Sequence, residues 1–286
     1  MRKYILKVLF FAFIIIVVIV LLFIRYDIVV KVNANNYKLP DNISKIIIGD
    51  SHVQLALNEK LIPNSVNLSI ASESYLYSYK KIKLITSNNR QIDTIFIGAG
   101  YHNFSSYYDA DLYNQYSFNN YFYLFDINEQ LTLLQKYQFD TNFLSGAYKQ
   151  LFKNDYYLWK GRFEIIKTDL SLNNTSIEKR IQEQFLNSNY SMSNIKYFES
   201  ICSYCELNKI TLIAINTPLH KKYYERVPLN YIQTYNNIMR KNKIRVIDFK
   251  GLNFKDEDFL PDGDHVSEKG ATKTSVLLNE IIKIGQ

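Results

Sequence analysis

Ile46-Ile47-Ile48-Gly49-Asp50-Ser51-His52 is the stretch on which the fold of this chain turns. Three successive isoleucines mark a strand buried on both faces, the kind found in parallel sheets. The run stops at Gly49, and 52–59 continues with helical character. Ser51 therefore falls where a strand gives way to a helix. Free backbone N–H groups and the positive end of the helix macrodipole favour an oxyanion at such a place. A serine there is a nucleophile if a base reaches it. The alternative is a serine that only caps the first turn.

Outward from this stretch the chain alternates. Strand-like runs are read at 45–48, 65–68, 93–98, 211–215 and 245–249, with helix-like stretches at 52–59, 75–86, 192–208, 229–241 and 268–284. Alternating β and α units predict an α/β fold, a parallel sheet covered by helices on both faces. Ligands of such sheets bind beyond the carboxyl ends of the strands, which is where Ser51 lies. The stretch 104–191 breaks the alternation. It is rich in Tyr, Phe and Asn and is read as a partly helical insertion, its aromatics (Tyr121 and Trp159 among them) forming its core or stacking on sugar rings, the core being preferred.

The far end of the chain supplies a second block, Pro261-Asp262-Gly263-Asp264-His265-Val266-Ser267-Glu268-Lys269-Gly270-Ala271, which contains Asp-x-x-His ahead of a helical run. Gly-Asp-Ser early and Asp-x-x-His late, each flanking a helix, resemble the first and last blocks of the SGNH (GDSL-type) hydrolase superfamily. The resemblance is closest to the membrane-anchored branch that accompanies alginate O-acetylation and teichoic-acid D-alanylation. It implies a flavodoxin-like three-layer α/β/α domain and a serine-dependent acyltransferase or esterase. Ser51 is then the nucleophile, His265 the base and Asp262 the acid that orients it. Asp264 is expected to face solvent or cap a local turn.

The oxyanion donors are where the chain departs from the family's pattern. The second block holds no glycine in Asn67-Leu68-Ser69-Ile70-Ala71-Ser72, so the backbone N–H of Ser69 or Ser72 is the candidate. The third block normally reads Gly-x-Asn-Asp; here it is Gly98-Ala99-Gly100-Tyr101-His102-Asn103. Asn103 or His102 is the candidate donor, or either caps the following turn. His52 and His220 are further candidates, His220 as a substrate contact at the end of the fourth strand.

Before the domain, Val8 to Ile24 is an unbroken apolar run of 17 residues, with Arg2, Lys3 and Lys7 ahead of it and Arg25 behind. With its flanks it is long enough to cross a hydrocarbon core of about 30 Å. No small-x-small cleavage site follows, so a signal anchor is expected rather than a signal peptide. The basic residues place the N-terminus in the cytoplasm. The organisation expected is a tip and transmembrane helix over 1–26, a linker over 27–42 and the SGNH-like domain over 43–286. The protein is thereby expected in the bacterial cytoplasmic membrane, single-pass, with the domain outside the cytoplasm.

The net charge of +7 excludes little until those four flanking residues are set aside, leaving 30 basic against 27 acidic groups, which is no nucleic-acid footprint. Cys202 and Cys205 are spaced C-x-x-C with no second ligand pair, and are read as two partly buried helix cysteines. No metal or organic cofactor is expected. The expected partners are a cell-surface polysaccharide and a membrane-bound O-acyltransferase. A non-catalytic reading, in which the domain positions glycan for that separate acyltransferase, is the alternative to an enzyme.

Overall fold

The computed structural model describes residues 2–35, 37–111, 121, 124–125, 128–129, 160–168, 170–185 and 189–284. The elements in chain order are α1 (Arg2–Asn35), β1 (Lys45–Ile48), α2 (Ser51–Ala56), β2 (Ser65–Asn67), α3 (Tyr75–Asn88) and β3 (Thr94–Gly98). After β3 come α4 (Tyr107–Asp111), α5 (Asn174–Phe185), α6 (Met192–Leu207), β4 (Thr211–Asn216), α7 (Lys221–Tyr224), α8 (Leu229–Lys241), β5 (Arg245–Asp248) and α9 (Glu268–Ile284). The expected strands and principal helices are present, with ends shifted by a few residues at most.

The five strands form one parallel sheet in the order β2-β1-β3-β4-β5. Ile46 pairs with Val66 and Ile95, and Ile97 with Ala214. Side chains alternate between two cores, as the two-residue period of a strand requires. Ile46, Ile48, Ile95 and Ile97 pack on one face with residues of α3, α6 and α8. Ile47, Phe96, Ile213 and Ile215 pack on the other with Val53 of α2 and Ala271 and Leu278 of α9. This is the three-layer α/β/α arrangement. The chain leaves β1 toward β2 on one side, whereas β3 flanks β1 on the other. The crevice between the ends of β1 and β3 is therefore the topological switch point.

Within the stretch 27–42, read above as a linker, α1 continues to Asn35. Beyond it Tyr37 and Leu39 are buried in the first core, and the Asn89 side chain accepts from Leu39 N and donates to the Tyr37 carbonyl. The apolar end of this segment outweighs its polar composition. The window Arg2–Leu22 is long and apolar enough to cross a membrane, with a mean hydropathy of 3.4 and none of it buried.

Within 104–191 the described helices are α4 and α5, so the expected helical character is present there. Tyr121 is buried, stacks on Tyr77 and donates to Glu73, which is the core role preferred for it. Trp159 lies outside the described residues. Cys202 and Cys205 are free and buried on α6, and burial pushes both thiols up to about 12.

Candidate active site

The strand-to-helix corner is closed by two glycines. Gly49 sits at a φ of +149°, and a Cβ there would stand 2.8 Å from Val53 Cγ2 and 3.1 Å from the Gly98 Cα. β1 and β3 can therefore approach closely where both end, and any side chain would part them. Asp50 then caps α2, its Oδ1 accepting from His52 N at 3.0 Å. This displaces Ser51 from the capping role to the first helical position. Its backbone N–H has no acceptor among the described residues.

His265 comes from the loop between β5 and α9. One carboxylate shapes that loop: Asp262 Oδ1 accepts the backbone N–H of Asp264 at 3.1 Å and of His265 at 3.0 Å. Its other oxygen lies 2.7 Å from His265 Nδ1, and Ser51 Oγ lies 2.8 Å from His265 Nε2. With Nδ1–H donating to Asp262, Nε2 is left to accept from the Ser51 hydroxyl. Ser51, His265 and Asp262 thus form a continuous hydrogen-bonded line from three separate positions in the chain. Burial pushes the Asp262 carboxyl up, but the hydrogen bond and charge of His265 outweigh this, and its pKa is lowered.

Beneath the line lies a buried polar cluster absent from the sequence-based expectations. Asp50 Oδ2 accepts from His102 Nε2 at 2.9 Å, from Asn103 Nδ2 at 2.8 Å and from the Tyr108 hydroxyl. His52 Nε2 donates to Asp264 Oδ1 at 2.8 Å, while Asp264 Oδ2 accepts from Arg180 Nε at 2.8 Å and Gln184 Nε2 at 2.9 Å. Both carboxylates are held well below the usual range: burial opposes this, but His52 beside each, and Arg180 beside Asp264, prevail. Burial disfavours charge on His52 too, yet Asp264 and Asp50 raise it to about 10. Burial and the neighbouring His52 charge together lower His102 to about 4. The two carboxylates thus favour charge on His52, while His102 donates through Nε2 to Asp50.

Four of the expected site residues therefore have other partners. His102 and Asn103 both aim their side-chain N–H groups at Asp50, and Asn103 Oδ1 accepts from Gly100 N at 2.6 Å, so neither side chain is free to meet an oxyanion. Ser69 N is engaged by Asn67 Oδ1 at 2.9 Å. His220 caps α7, its Nδ1 accepting from Lys222 N at 3.1 Å while Nε2 lies 3.2 Å from Asp256. Ser72 adopts a φ of +60° in the turn closed by Glu73 N and the Ile70 carbonyl, a position that glycine usually takes. Its N–H, like that of Ser51, has no acceptor among the described residues.

Asp264 is the sharpest correction. It is 1% exposed and takes three side-chain donors, not solvent. Asp50 was readable in Gly-Asp-Ser as a capping residue; Arg180 and Gln184 carried no signal, since they come from the insertion. Ligand atoms of Asp50, His52 and His102, and of His52, Asp264 and His265, converge closely enough to suit a metal ion. Within these groups His102 Nε2 hydrogen-bonds Asp50, and the 2.8 Å between His52 Nε2 and Asp264 Oδ1 suits a shared proton.

No family model and no curated protein matches the chain. Among solved structures it is similar to the psychrotrophic esterase EstA from Pseudoalteromonas sp., at 9% identity over 85% of this chain and 98% of that one, with a TM-score of 0.43. It is also similar to a GDSL-like lipase from Bacteroides thetaiotaomicron, at 8% identity over 89% of this chain and 96% of that one, with a TM-score of 0.41. The likeness is to esterases and lipases. At this identity and TM-score the likeness carries no argument, and the chemistry is read from the side chains of this chain.

Proposed function

We propose that this protein is a membrane-anchored SGNH-type serine acyltransferase or esterase, acting outside the cytoplasm on an acylated cell-surface polysaccharide, with acetyl as the acyl group. The observation that carries the reading is the unbroken line from Ser51 Oγ through His265 to Asp262, at 2.8 and 2.7 Å. In the first half-reaction Ser51 Oγ bonds to the ester carbonyl carbon while its proton passes to His265 Nε2. The imidazolium so formed is stabilised by Asp262. The backbone N–H groups of Ser51 and Ser72 are the proposed oxyanion donors. Collapse expels the alcohol, which takes the proton from Nε2 and leaves acyl-Ser51. Water or a sugar hydroxyl then enters by the same steps in reverse order.

A specific observation favours a second reading. The side-chain donors expected of the third block are engaged by Asp50, which thins the oxyanion site and suits a domain that positions glycan for a separate membrane O-acyltransferase. Release of acetate from aryl acetates by the full chain in detergent micelles decides between them. Turnover abolished by Ser51→Ala supports the enzyme; no turnover, with Ser51→Ala still supporting glycan acetylation in cells, supports the positioning domain. The anchor is tested separately, by retention of the chain in membranes after carbonate washing.

A further inference from the structure

Three histidine rings stand in a row under the carboxyl ends of β1 and β3. His102 and His52 are stacked with centroids 3.9 Å apart and planes 26° from parallel, and His52 and His265 follow at 4.5 Å and 31°. The triad accounts for the last ring alone. The two inner rings are buried, at 5% and 3% exposure, and they belong to elements 50 residues apart in sequence. Stacking titratable rings with two of them buried is costly unless their charges are arranged.

We propose that His52 is a positioning residue for the base: a buried cation that backs the ring of His265 and keeps it in the proton-accepting form Ser51 requires. This rests on the serine-hydrolase reading above and adds to it a means by which that base is held ready.

Charge balance supports the assignment independently of any titration. Within the cluster Asp50 and Asp264 each carry a negative charge and Arg180 one positive charge. Of the two buried carboxylates Arg180 meets Asp264, at 2.8 Å, its other acid partner being the half-exposed Glu183, and it leaves Asp50 to neutral donors apart from His52. A charged His52 makes the buried cluster neutral; an uncharged one leaves a buried carboxylate without a counterion. The geometry agrees, since His52 Nε2 lies 2.8 Å from Asp264 Oδ1 and Nδ1 lies 3.3 Å from Asp50 Oδ1. Nε2 thus hydrogen-bonds one carboxylate, while Nδ1 meets the other as a charge contact without a hydrogen bond.

The consequence falls on His265, whose ring meets the face of His52. A second positive ring at this distance is opposed by the first, while Asp262 favours it. The other ionisable groups around the pair are His102 and Asp50 below His52, Tyr108 on Asp50, and Arg180 with Asp264 at its edge. Tyr223 closes the cluster by donating to Gln184, and its hydroxyl is driven up first by burial and then by Asp264. None of these adds a free positive charge against His265, so His52 is the group whose removal should be felt there. The insertion takes part through Arg180 and Gln184 on α5, which hold Asp264 and so hold His52 against His265.

The test is the pH dependence of kcat/KM for an aryl acetate, measured on the full chain in detergent micelles. In His52→Gln, which keeps one donor for Asp264 but no charge, the acid limb should move to higher pH by about one unit, the scale of a like-charge neighbour. His52→Lys, which restores the charge, should return it toward its original place. A purely structural role would lower activity equally at all pH and would give no rescue. An acid limb unmoved in a folded His52→Gln protein overturns the proposal. Should that variant fail to fold, nitrogen-15 NMR of the unaltered chain decides. His52 protonated on both nitrogens at pH 8 upholds the proposal, and a neutral His52 at pH 7 overturns it. The NMR measurement needs no turnover, so an inactive protein would sink the enzymatic reading while this one is still decided.

Discussion

His265 Nδ1 and Asp262 Oδ2 are 2.7 Å apart, and the same carboxylate accepts the backbone N–H of His265 at 3.0 Å. One acid therefore sets both the course of the loop and the tautomer of the ring it carries. Asp262→Asn should keep the fold, because an amide oxygen still accepts the backbone N–H groups. It presents an N–H or a weaker acceptor to Nδ1, so the ring loses the tautomer that suits Ser51. The expected loss in kcat is about 10⁴-fold by the serine-hydrolase template, read on an aryl acetate. A loss under tenfold would show that Asp262 does not orient the base.

Asp264 stands two residues away and behaves differently. Its carboxylate is 0% exposed and faces His52 and Arg180. Asp264→Asn leaves the buried His52 and the partly buried Arg180 sharing a neutral partner, and breaking a buried pair typically costs about 3–5 kcal/mol. Thermal melting should show a large drop in Tm, with turnover at low temperature less affected than in Asp262→Asn. A Tm within two degrees of the parent would contradict this burial.

The same cluster sets an optimum of stability. His52 is held at about 10 in the folded chain against 6.5 in the free residue, so its contribution is complete below 6.5 and is lost as pH rises toward 10. His102 is held at about 4, so unfolding takes up a proton below 6.5 and its contribution is lost as pH falls toward 4. The two losses run in opposite directions from a common point. Tm should therefore peak near pH 6.5, and His52→Gln should flatten the alkaline side and, by removing a charge that helps hold His102 down, soften the acid side as well.

On the opposite flank of β1, Lys81 and Glu73 form a fully buried ion pair, with Lys81 Nζ also donating to the Leu68 carbonyl at 2.6 Å and Ser78 Oγ to Glu73 at 2.7 Å. Burial works against both charges, raising Glu73 and lowering Lys81. The pair anchors the turn at Ile70–Glu73 that contains Ser72. Lys81→Met leaves Glu73 uncompensated and should cost about 3–5 kcal/mol in chemical denaturation. Lys81→Met with Glu73→Leu should recover most of it, since an apolar pair of similar volume avoids the desolvation. Equal stability of the single variant and the parent would show that the pair is solvated.

Much of this was legible in the chain because the signals are local. The triple isoleucine at 46–48 and the apolar run at 212–215 mark buried strands whatever surrounds them, and α8 and α9 occupy the stretches expected of them. Ser51, Asp262 and His265 could be named because strand–Gly–Asp–Ser and Asp-x-x-His are short patterns. What was not legible depends on partners distant in sequence. A second acid beside His265 reads as solvent-facing until Arg180, 84 residues earlier, is found against it. His102 and Asn103 were placed after the right strand, but their direction follows from Asp50, 52 and 53 residues away. The continuation of α1 to Asn35 had no local sign either, since Val29, Val30 and Val32 favour strand over helix in isolation.

The central claim is that Ser51 is a nucleophile activated by His265. The most direct measurement is labelling of the full chain by a fluorophosphonate, with the modified peptide identified by mass spectrometry. The label should sit on Ser51, be lost in Ser51→Ala, and fall at least a hundredfold in rate in His265→Ala, the scale of general-base assistance. Absence of label from the folded parent chain, or labelling that proceeds equally fast without His265, would contradict the account.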